Sequence, residues 1–327
     1  MKAIVYYQYG SPDVLRLKEV DKPSVSAGGV LVRVRGAAAN PYDWHFVRGE
    51  PYLMRLLFGL RAPKRNSLGV DFSGVVEAVA QGVTAFTPGD EVYGMCDGAF
   101  AEYVCAPEAE IAHKPRTLGF DLAAAVPLAG LTALQGLRDC GQLRRGDRVL
   151  IIGASGGVGT FAVQLAKDFG GHVTGVCSTK NLEMVRSLGA DEVIDYTRQD
   201  FAQAGQKYDL IFQLGGKHSQ SHCRRALTPR GRLALSSGDS EGRWIGPLDR
   251  IIKAAALSPF VSQTLAALEV KPSRADLEQL AELIDDGKLK PVIDRTYALE
   301  EVAEAVRYVE QGHARGKVLV RIGEDRK

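Results

Sequence analysis

The chain lacks the cysteine pattern of a disulfide-held or zinc-ribbon protein. Its five cysteines, Cys96, Cys105, Cys140, Cys177 and Cys223, are odd in number and widely spread, and none forms a Cys-x-x-Cys pair. An excess of one charge is missing too. Lys and Arg total 41 against 39 Asp and Glu, a net charge of +2, so nucleic acid is not expected as the main partner. No uninterrupted apolar run reaches bilayer length, so no membrane span is expected. Met1-Lys-Ala-Ile-Val leads directly into a strand pattern without an apolar signal core, which makes the cytoplasm the expected location. Internal repeats and low-complexity tracts are absent. What remains is an ordinary globular composition, 45% hydrophobic and 24% charged, in a chain whose 327 residues suit two domains.

Residues 1 to about 118 read as short strands punctuated by turns, at 2–7, 29–38, 71–80, 90–93 and 99–106, with Pro12, Pro23, Pro88-Gly89-Asp90 and Pro107 at the breaks. From about 119 to 260 strands and helices alternate. Strands are expected at 148–152, 172–177, 192–195, 208–212 and 232–236, and helices at 159–169, 181–188 and 219–227. That repetition builds a parallel sheet covered on both faces. In the tail, Ser273-Arg-Ala-Asp276 predicts a capped helix with Leu277, Leu280 and Ile284 on one face and Gly287 as its stop. A second helix carries Val302, Ala305, Val306 and Val309, and a strand follows at 317–322. The tail is expected to rejoin the N-terminal β domain.

The most informative segment is Val149-Leu-Ile-Ile-Gly-Ala-Ser-Gly-Gly-Val-Gly-Thr-Phe-Ala-Val-Gln-Leu-Ala-Lys167. An apolar strand enters a glycine-rich turn that opens a helix, the order a dinucleotide pyrophosphate needs. Ala154 stands where the fingerprint has its first glycine, Gly156 lets the backbone approach the phosphates, and Gly159 lets helix and strand pack closely. The second strand ends in Ser178-Thr-Lys-Asn181, with no carboxylate to bind the ribose hydroxyls of NAD. Ser178 and Thr179 offer hydroxyls and Lys180 a positive charge, which favours NADPH. The same four residues also suit the cap of the next helix.

In these features the chain resembles the medium-chain dehydrogenase/reductase superfamily, in particular its zinc-free quinone oxidoreductase (zeta-crystallin-like) branch. The segments that carry the resemblance are Asn40-Pro-Tyr-Asp43, Gly69-Val-Asp-Phe-Ser-Gly-Val-Val76, Pro88-Gly-Asp-Glu-Val-Tyr-Gly94, Gly98-Ala-Phe-Ala-Glu-Tyr103, Gly153-Ala-Ser-Gly-Gly-Val-Gly159 and Gly189-Ala-Asp-Glu-Val-Ile-Asp-Tyr196. The resemblance implies an α/β fold, a Rossmann doubly wound parallel sheet (residues 123–267) inserted into a GroES-like β-barrel domain (1–122 and 268–327). It also implies NADPH as cofactor and a homodimer. Ser155, Gly156, Gly157 and Val158 match the pyrophosphate loop. Ser178, Lys180 and Tyr196 match positions that hold the adenosine ribose phosphate. Lys317 matches a C-terminal residue that completes the NADPH site, and Thr132 a hydroxyl near the nicotinamide. Where the branch has an acidic or Asn-containing turn after the fourth strand, this chain has Gln213-Leu-Gly-Gly216.

Zinc-binding relatives place a Cys where this chain has Asn40 and a His-Glu pair where it has Val70-Asp71. Neither Asn nor Val replaces a thiolate or imidazole ligand. The four-cysteine lobe of those relatives is reduced to a short turn between Tyr93 and Phe100, so no metal is expected. His218, His222 and Cys223 sit at helical spacing; they read either as metal ligands or as a polar helix start beside Arg224 and Arg225.

Without a Lewis acid the expected acceptor is a quinone or an α,β-unsaturated carbonyl, because hydride charge there spreads onto a remote oxygen. Asn40, Tyr42, His45 and Tyr52 are the candidate donors to that oxygen. His45 reads equally as a half-buried ring satisfied by backbone, and solvent is an alternative proton source. The apolar 49–61 segment, flanked by Lys64 and Arg65, reads as core, as a lid or as a membrane-lying surface. The 244–252 segment is a second candidate cover. Two other functions compete: a non-catalytic NADPH-binding sensor or RNA-binding protein, and a zinc alcohol dehydrogenase.

Overall fold

A mainly antiparallel sheet and a parallel sheet account for most of the regular backbone in the computed structural model, which describes residues 1–203, 205–216, 218–236, 244, 246, 253–254 and 261–323. The chain divides into two compact units, Met1–Leu131 with Lys271–Lys327, and Thr132–Val270. The expected break at residue 122 thus moves to Leu131. The physical reason is that Ser73 Oγ donates to Phe120 O (2.6 Å) and Leu128 N–H donates to Asp71 Oδ1 (2.8 Å), which tie this stretch to the first unit. The return point moves from 268 to Lys271.

In the first unit the sheet order is Ile293–Ala298, Lys317–Arg321, Gly29–Ala39, Asp71–Val79, Glu91–Met95, Ile111–His113, and Tyr103–Pro107 also pairs with Gly29–Ala39. Only the Ile293–Ala298 pairing with Lys317–Arg321 is parallel. Val30, Val32, Val34, Phe72, Val92, Phe100, Ile111, Val302, Val306, Val318 and Val320 share one buried cluster, so the tail supplies core to the N-terminal sheet. Ser273 Oγ caps Arg274–Asp285 by accepting from Asp276 N–H, and Leu277, Leu280 and Ile284 are buried, as the pattern predicts. The strand expected at 99–106 begins only at Tyr103, because Phe100 N–H turns aside to Leu68 O.

In the second unit six strands, all parallel, lie in the order Glu192–Asp195, His172–Cys177, Arg148–Ile152, Tyr208–Gln213, Leu227–Leu235, Thr264–Ala267. Numbered along the chain this is 3-2-1-4-5-6, the doubly wound dinucleotide-binding order. Val149, Leu150, Ile151 and Ile152 are all buried, which a central parallel strand covered on both faces requires. The helix Gly157–Asp168 buries Phe161, Ala162, Val163, Leu165 and Ala166. One stretch, Phe120–Cys140, is helical and, by length and composition alone, long and apolar enough to cross a membrane, against the expectation of none. Of its apolar window 78% is buried inside the protein, as in a core helix.

Candidate functional site

The glycine loop departs from its fingerprint in one instructive way. The left-handed turn residue is Gly153 (φ 87°), directly before Ala154. Ala154 therefore fills the first fingerprint position without strain, because its neighbour makes the turn. A Cβ on Gly159 would lie 2.1 Å from Gly153 O and 2.8 Å from Ala154 Cα, so no other residue fits without moving the loop. A Cβ on Gly156 would meet only Gly153 O, at 3.5 Å. That leaves an open approach above Gly156, the N-cap of the 12-residue helix Gly157–Asp168. Backbone N–H groups at such a helix start, left without intrahelical partners, suit a pyrophosphate. Ser155, Gly157 and Val158 lie in the same turn, and Ser155 Oγ accepts from Asn181 Nδ2 at 2.9 Å. By this test the loop fits a dinucleotide.

At the ends of the second and third strands, Asp195 pairs in register with Cys177, and Tyr196 N–H donates to Cys177 O at 3.1 Å. This brings Tyr196, 57% exposed, beside Ser178. Lys180 is exposed on the same edge. Ser178 is an N-cap residue whose side chain makes no cap bond; its Oγ accepts from Asn181 Nδ2 at 3.4 Å, and its O–H points to no backbone of the helix start. Thr179 behaves differently: its Oγ1 donates to Asp195 Oδ2 at 2.5 Å. Sequence reasoning missed Asp195, a carboxylate delivered to this edge by the third strand rather than the second. Its Oδ1 accepts from Thr197 N and Oγ1, and Arg198 stands 3.7 Å from Oδ2. The Thr179 hydroxyl above all holds its carboxyl below the usual range. With these partners Asp195 scaffolds the edge.

The first unit carries a buried polar cluster. Lys317 Nζ donates to Asn40 Oδ1 (2.6 Å) and Asp71 Oδ2 (2.9 Å), and Asn40 Nδ2 donates to Ala38 O and Asp71 Oδ2, both at 3.0 Å. Two sequence expectations are corrected here. Asn40 is 3% exposed and both of its amide hydrogens go to protein acceptors, so it has none for a substrate. Lys317, expected at the NADPH site, is likewise 3% exposed and held in an ion pair inside the first unit.

Asn40 opens the helix Pro41–Arg48, and Asp43, three residues on, accepts from Asn40 N–H (2.7 Å) and Gly69 N–H (3.2 Å). Burial pushes the Asp43 carboxyl up to about 7, and Asp71 adds to the rise; the two N–H donors and Lys317 oppose it and are outweighed. Tyr42 is stacked on Phe46 (centroids 4.3 Å apart), and desolvation followed by Asp43 pushes its phenol up to about 12. It stays protonated, and is a donor, at neutral pH. His45 lies on Trp44 (3.6 Å) with Nδ1 3.0 Å from Glu50 O. A carbonyl only accepts, so Nδ1 carries the proton and spends it on backbone. Tyr52 packs under the Arg55 guanidinium, 4.6 Å from its ring centre. Thr132 is buried in the helix Pro127–Gln135.

The 49–61 segment is not core: Leu53, Leu56, Leu57 and Leu60 are all exposed, up to 67% for Leu57. Of the 244–252 segment, all but Trp244 and Gly246 lies outside the described residues. His222 spends both ring nitrogens, Nε2 on Asp200 Oδ1 and Nδ1 on Arg225, each at 2.8 Å. Cys223 Sγ contacts Gln213 Oε1 at 3.7 Å. The metal reading of His218, His222 and Cys223 is therefore dropped; among the described residues no three His, Cys, Asp or Glu side chains are grouped to hold a metal ion.

Comparison with known proteins agrees with this architecture. Residues 26–116 match the family described as alcohol dehydrogenase GroES-like domain, and residues 188–320 the family described as zinc-binding dehydrogenase. The NAD(P)H oxidoreductase RTN4IP1, mitochondrial, of Danio rerio is 33% identical over 100% of this chain and 92% of its own length. The NADPH-dependent alkenal/one oxidoreductase, chloroplastic, of Arabidopsis thaliana is 33% identical over 98% of this chain and 79% of its own. The quinone oxidoreductase structure from Coxiella burnetii superposes with a TM-score of 0.87 at 32% identity, covering 99% of each chain. From its parallel nucleotide-binding sheet, its GroES-like sheet and relatives matched over the whole length, the chain belongs to the medium-chain dehydrogenase/reductase superfamily and is an oxidoreductase of that type.

Proposed function

We propose that the protein is an NADPH-dependent, zinc-independent reductase of quinones or α,β-unsaturated carbonyls. The single observation that carries this reading is the Lys317–Asp71–Asn40 cluster. Its ammonium and carboxylate balance in charge. Both Asp71 oxygens are engaged, Oδ1 by Leu128 N–H and Oδ2 by Asn40 and Lys317. No thiolate, imidazole or open carboxylate belongs to it, so a divalent ion finds no ligand set there. The names of the relatives support the acceptor class.

When bound, NADPH supplies the hydride. Solvent supplies the proton that completes the reduction, and the chain's own residues bind and orient. The 153–159 loop binds the pyrophosphate through backbone N–H groups. Ser178, Lys180 and Tyr196 receive the 2′-phosphate, with Thr179 and Asp195 bracing that edge. Tyr42, protonated at neutral pH, donates a hydrogen bond to the oxygen that gains charge as a conjugated acceptor is reduced. A conjugated acceptor needs no stronger electrophile, because its negative charge is delocalised.

The expected result is NADPH oxidation in the presence of a panel of quinones and alkenals, unaffected by a chelator and with no stoichiometric metal in the purified protein. Failure of every acceptor, or loss of activity on chelation, overturns the proposal. Tyr42→Phe is expected to lower kcat about 10²-fold, as removal of one oxyanion donor does; an unchanged kcat removes Tyr42 from the mechanism. Ser178→Asp places a like charge against the 2′-phosphate. It is expected to raise KM for NADPH by about tenfold or more, equivalent to about 1.4 kcal/mol, while leaving KM for NADH nearly unchanged. Equal effects on the two coenzymes refute the assignment of this edge.

A further inference from the structure

The Asp71 carboxylate joins four segments of the first unit. It opens the strand Asp71–Val79 and is fully buried. Oδ1 accepts from Leu128 N–H at 2.8 Å, in the first turn of the helix Pro127–Gln135. Oδ2 accepts from Asn40 Nδ2 at 3.0 Å, directly before Pro41–Arg48, and from Lys317 Nζ at 2.9 Å, at the start of Lys317–Arg321. Lys317 closes the triangle on Asn40 Oδ1 at 2.6 Å. An ammonium only donates and a carboxylate only accepts, so the Asn40 amide has one orientation: oxygen toward Lys317, nitrogen toward Asp71. A flipped amide would face donor with donor and acceptor with acceptor. Asn40 is in turn latched through its own N–H to Asp43, in the first turn of the helix that carries Tyr42 and His45.

Resting on the proposed function, we infer that Asp71, with Lys317 as its counter-charge, is a positioning residue. It fixes the Asn40 amide and so the entry of the helix that presents Tyr42, and it holds the start of the helix that carries Thr132. This role is distinct from stability alone. Removing one member of a buried ion pair strands a charge, whereas removing both charges relieves that cost but abandons the orientation of Asn40.

The test uses the full-length protein and three variants: Asp71→Asn, Lys317→Met and the double Asp71→Asn/Lys317→Met. NADPH, with a quinone that the wild type reduces, is the kinetic probe. Trp44 lies in the affected helix, and Trp244 is the only other tryptophan. Its emission, read in a Trp244→Phe background, therefore reports the position of that helix without any turnover. Lys317→Met is expected to lower Tm by several degrees and the double variant to recover most of that loss. In all three, kcat is expected to stay down about 10²-fold, the size of effect a roughly 1 Å misplacement produces, with the dissociation constant for NADPH nearly unchanged and Trp44 emission shifted. Recovery of kcat together with Tm in the double variant overturns the inference, because the pair would then be structural only. Unchanged Trp44 emission in Asp71→Asn overturns it as well. A wild type inactive toward every acceptor, with the Trp44 shift still present, sinks the proposed reaction while supporting the positioning of the helix.

Discussion

Gly159→Val is expected to destroy dinucleotide binding while the first unit stays folded. Even the Cβ of an alanine here would sit 2.1 Å from Gly153 O and 2.8 Å from Ala154 Cα, far inside van der Waals contact. The obstacle is backbone, not the tip of a flexible side chain, so no rotamer relieves it. Either the helix Gly157–Asp168 moves off the strand Arg148–Ile152 or the 153–156 turn opens. Overpacking of this kind costs about 1–3 kcal/mol in stability. Affinity is expected to suffer more, because the N–H groups proposed to meet the pyrophosphate belong to the displaced turn. NADPH titration followed by nucleotide fluorescence is expected to show affinity at least about 100-fold weaker, or about 2.7 kcal/mol. Gly156→Ala is the control, since its Cβ meets only one atom, at 3.5 Å. It is expected to fold like the wild type and to lose affinity only through crowding of the ligand. Near-normal binding by Gly159→Val would mean that this loop is not the pyrophosphate site.

The second large effect concerns pH. Asp43 is fully buried, and its carboxyl is raised from 3.8 to about 7. Between about pH 4 and pH 7 the folded protein therefore keeps a proton that the unfolded chain has released. Its contribution to stability is complete below the unfolded value and is lost as pH rises through the folded one. At 1.36 kcal/mol per unit the loss is about 4 kcal/mol. Other carboxylates act with the opposite sign: Asp191, Asp200 and Asp285 are held low by their partners and favour the fold as pH rises from the acid range. Total stability mixes these contributions, so the measurement is a difference. Denaturant unfolding of the wild type and of Asp43→Asn is compared at pH 4 and pH 8. The variant has nothing to titrate at this site, so the gap between the two proteins is expected to change with pH in its favour by about 4 kcal/mol. Parallel stability–pH curves would show that Asp43 titrates normally.

Much of the second unit was written in local pattern. The strands Arg148–Ile152, His172–Cys177 and Glu192–Asp195 fall on the residues their apolar runs predict. A buried parallel strand is a continuous apolar run, and turn residues bound it. The strand Ile293–Ala298 was missed because it is a sheet edge with three exposed residues and no alternation. The helix Pro41–Arg48 was missed, although Asn40, Pro41 and Asp43 form a helix-start signal, because it buries only Asp43 and Val47 and so shows no apolar periodicity. At the edge proposed for the nucleotide, Ser178 and Lys180 were legible as candidates because they follow directly on the second strand. Asp195 was not, because it reaches Thr179 only through the pairing of strands.

Local pattern was enough for the glycine loop at 153–159, the order of strands and helices around it, the class of the enzyme and the return of the tail to the first unit. These depend on residue periodicity and on glycines at fixed spacing, which are local properties. What the polar residues do was settled by the folded arrangement. It turned Lys317 inward, a partner for Asp71 and Asn40 more than 240 positions away, and it used up the amide of Asn40. Hydrogen-bond capacity is finite and buried charge must be balanced. Whether a donor is left over for substrate is therefore settled only when residues far apart in sequence are brought within 3 Å of one another.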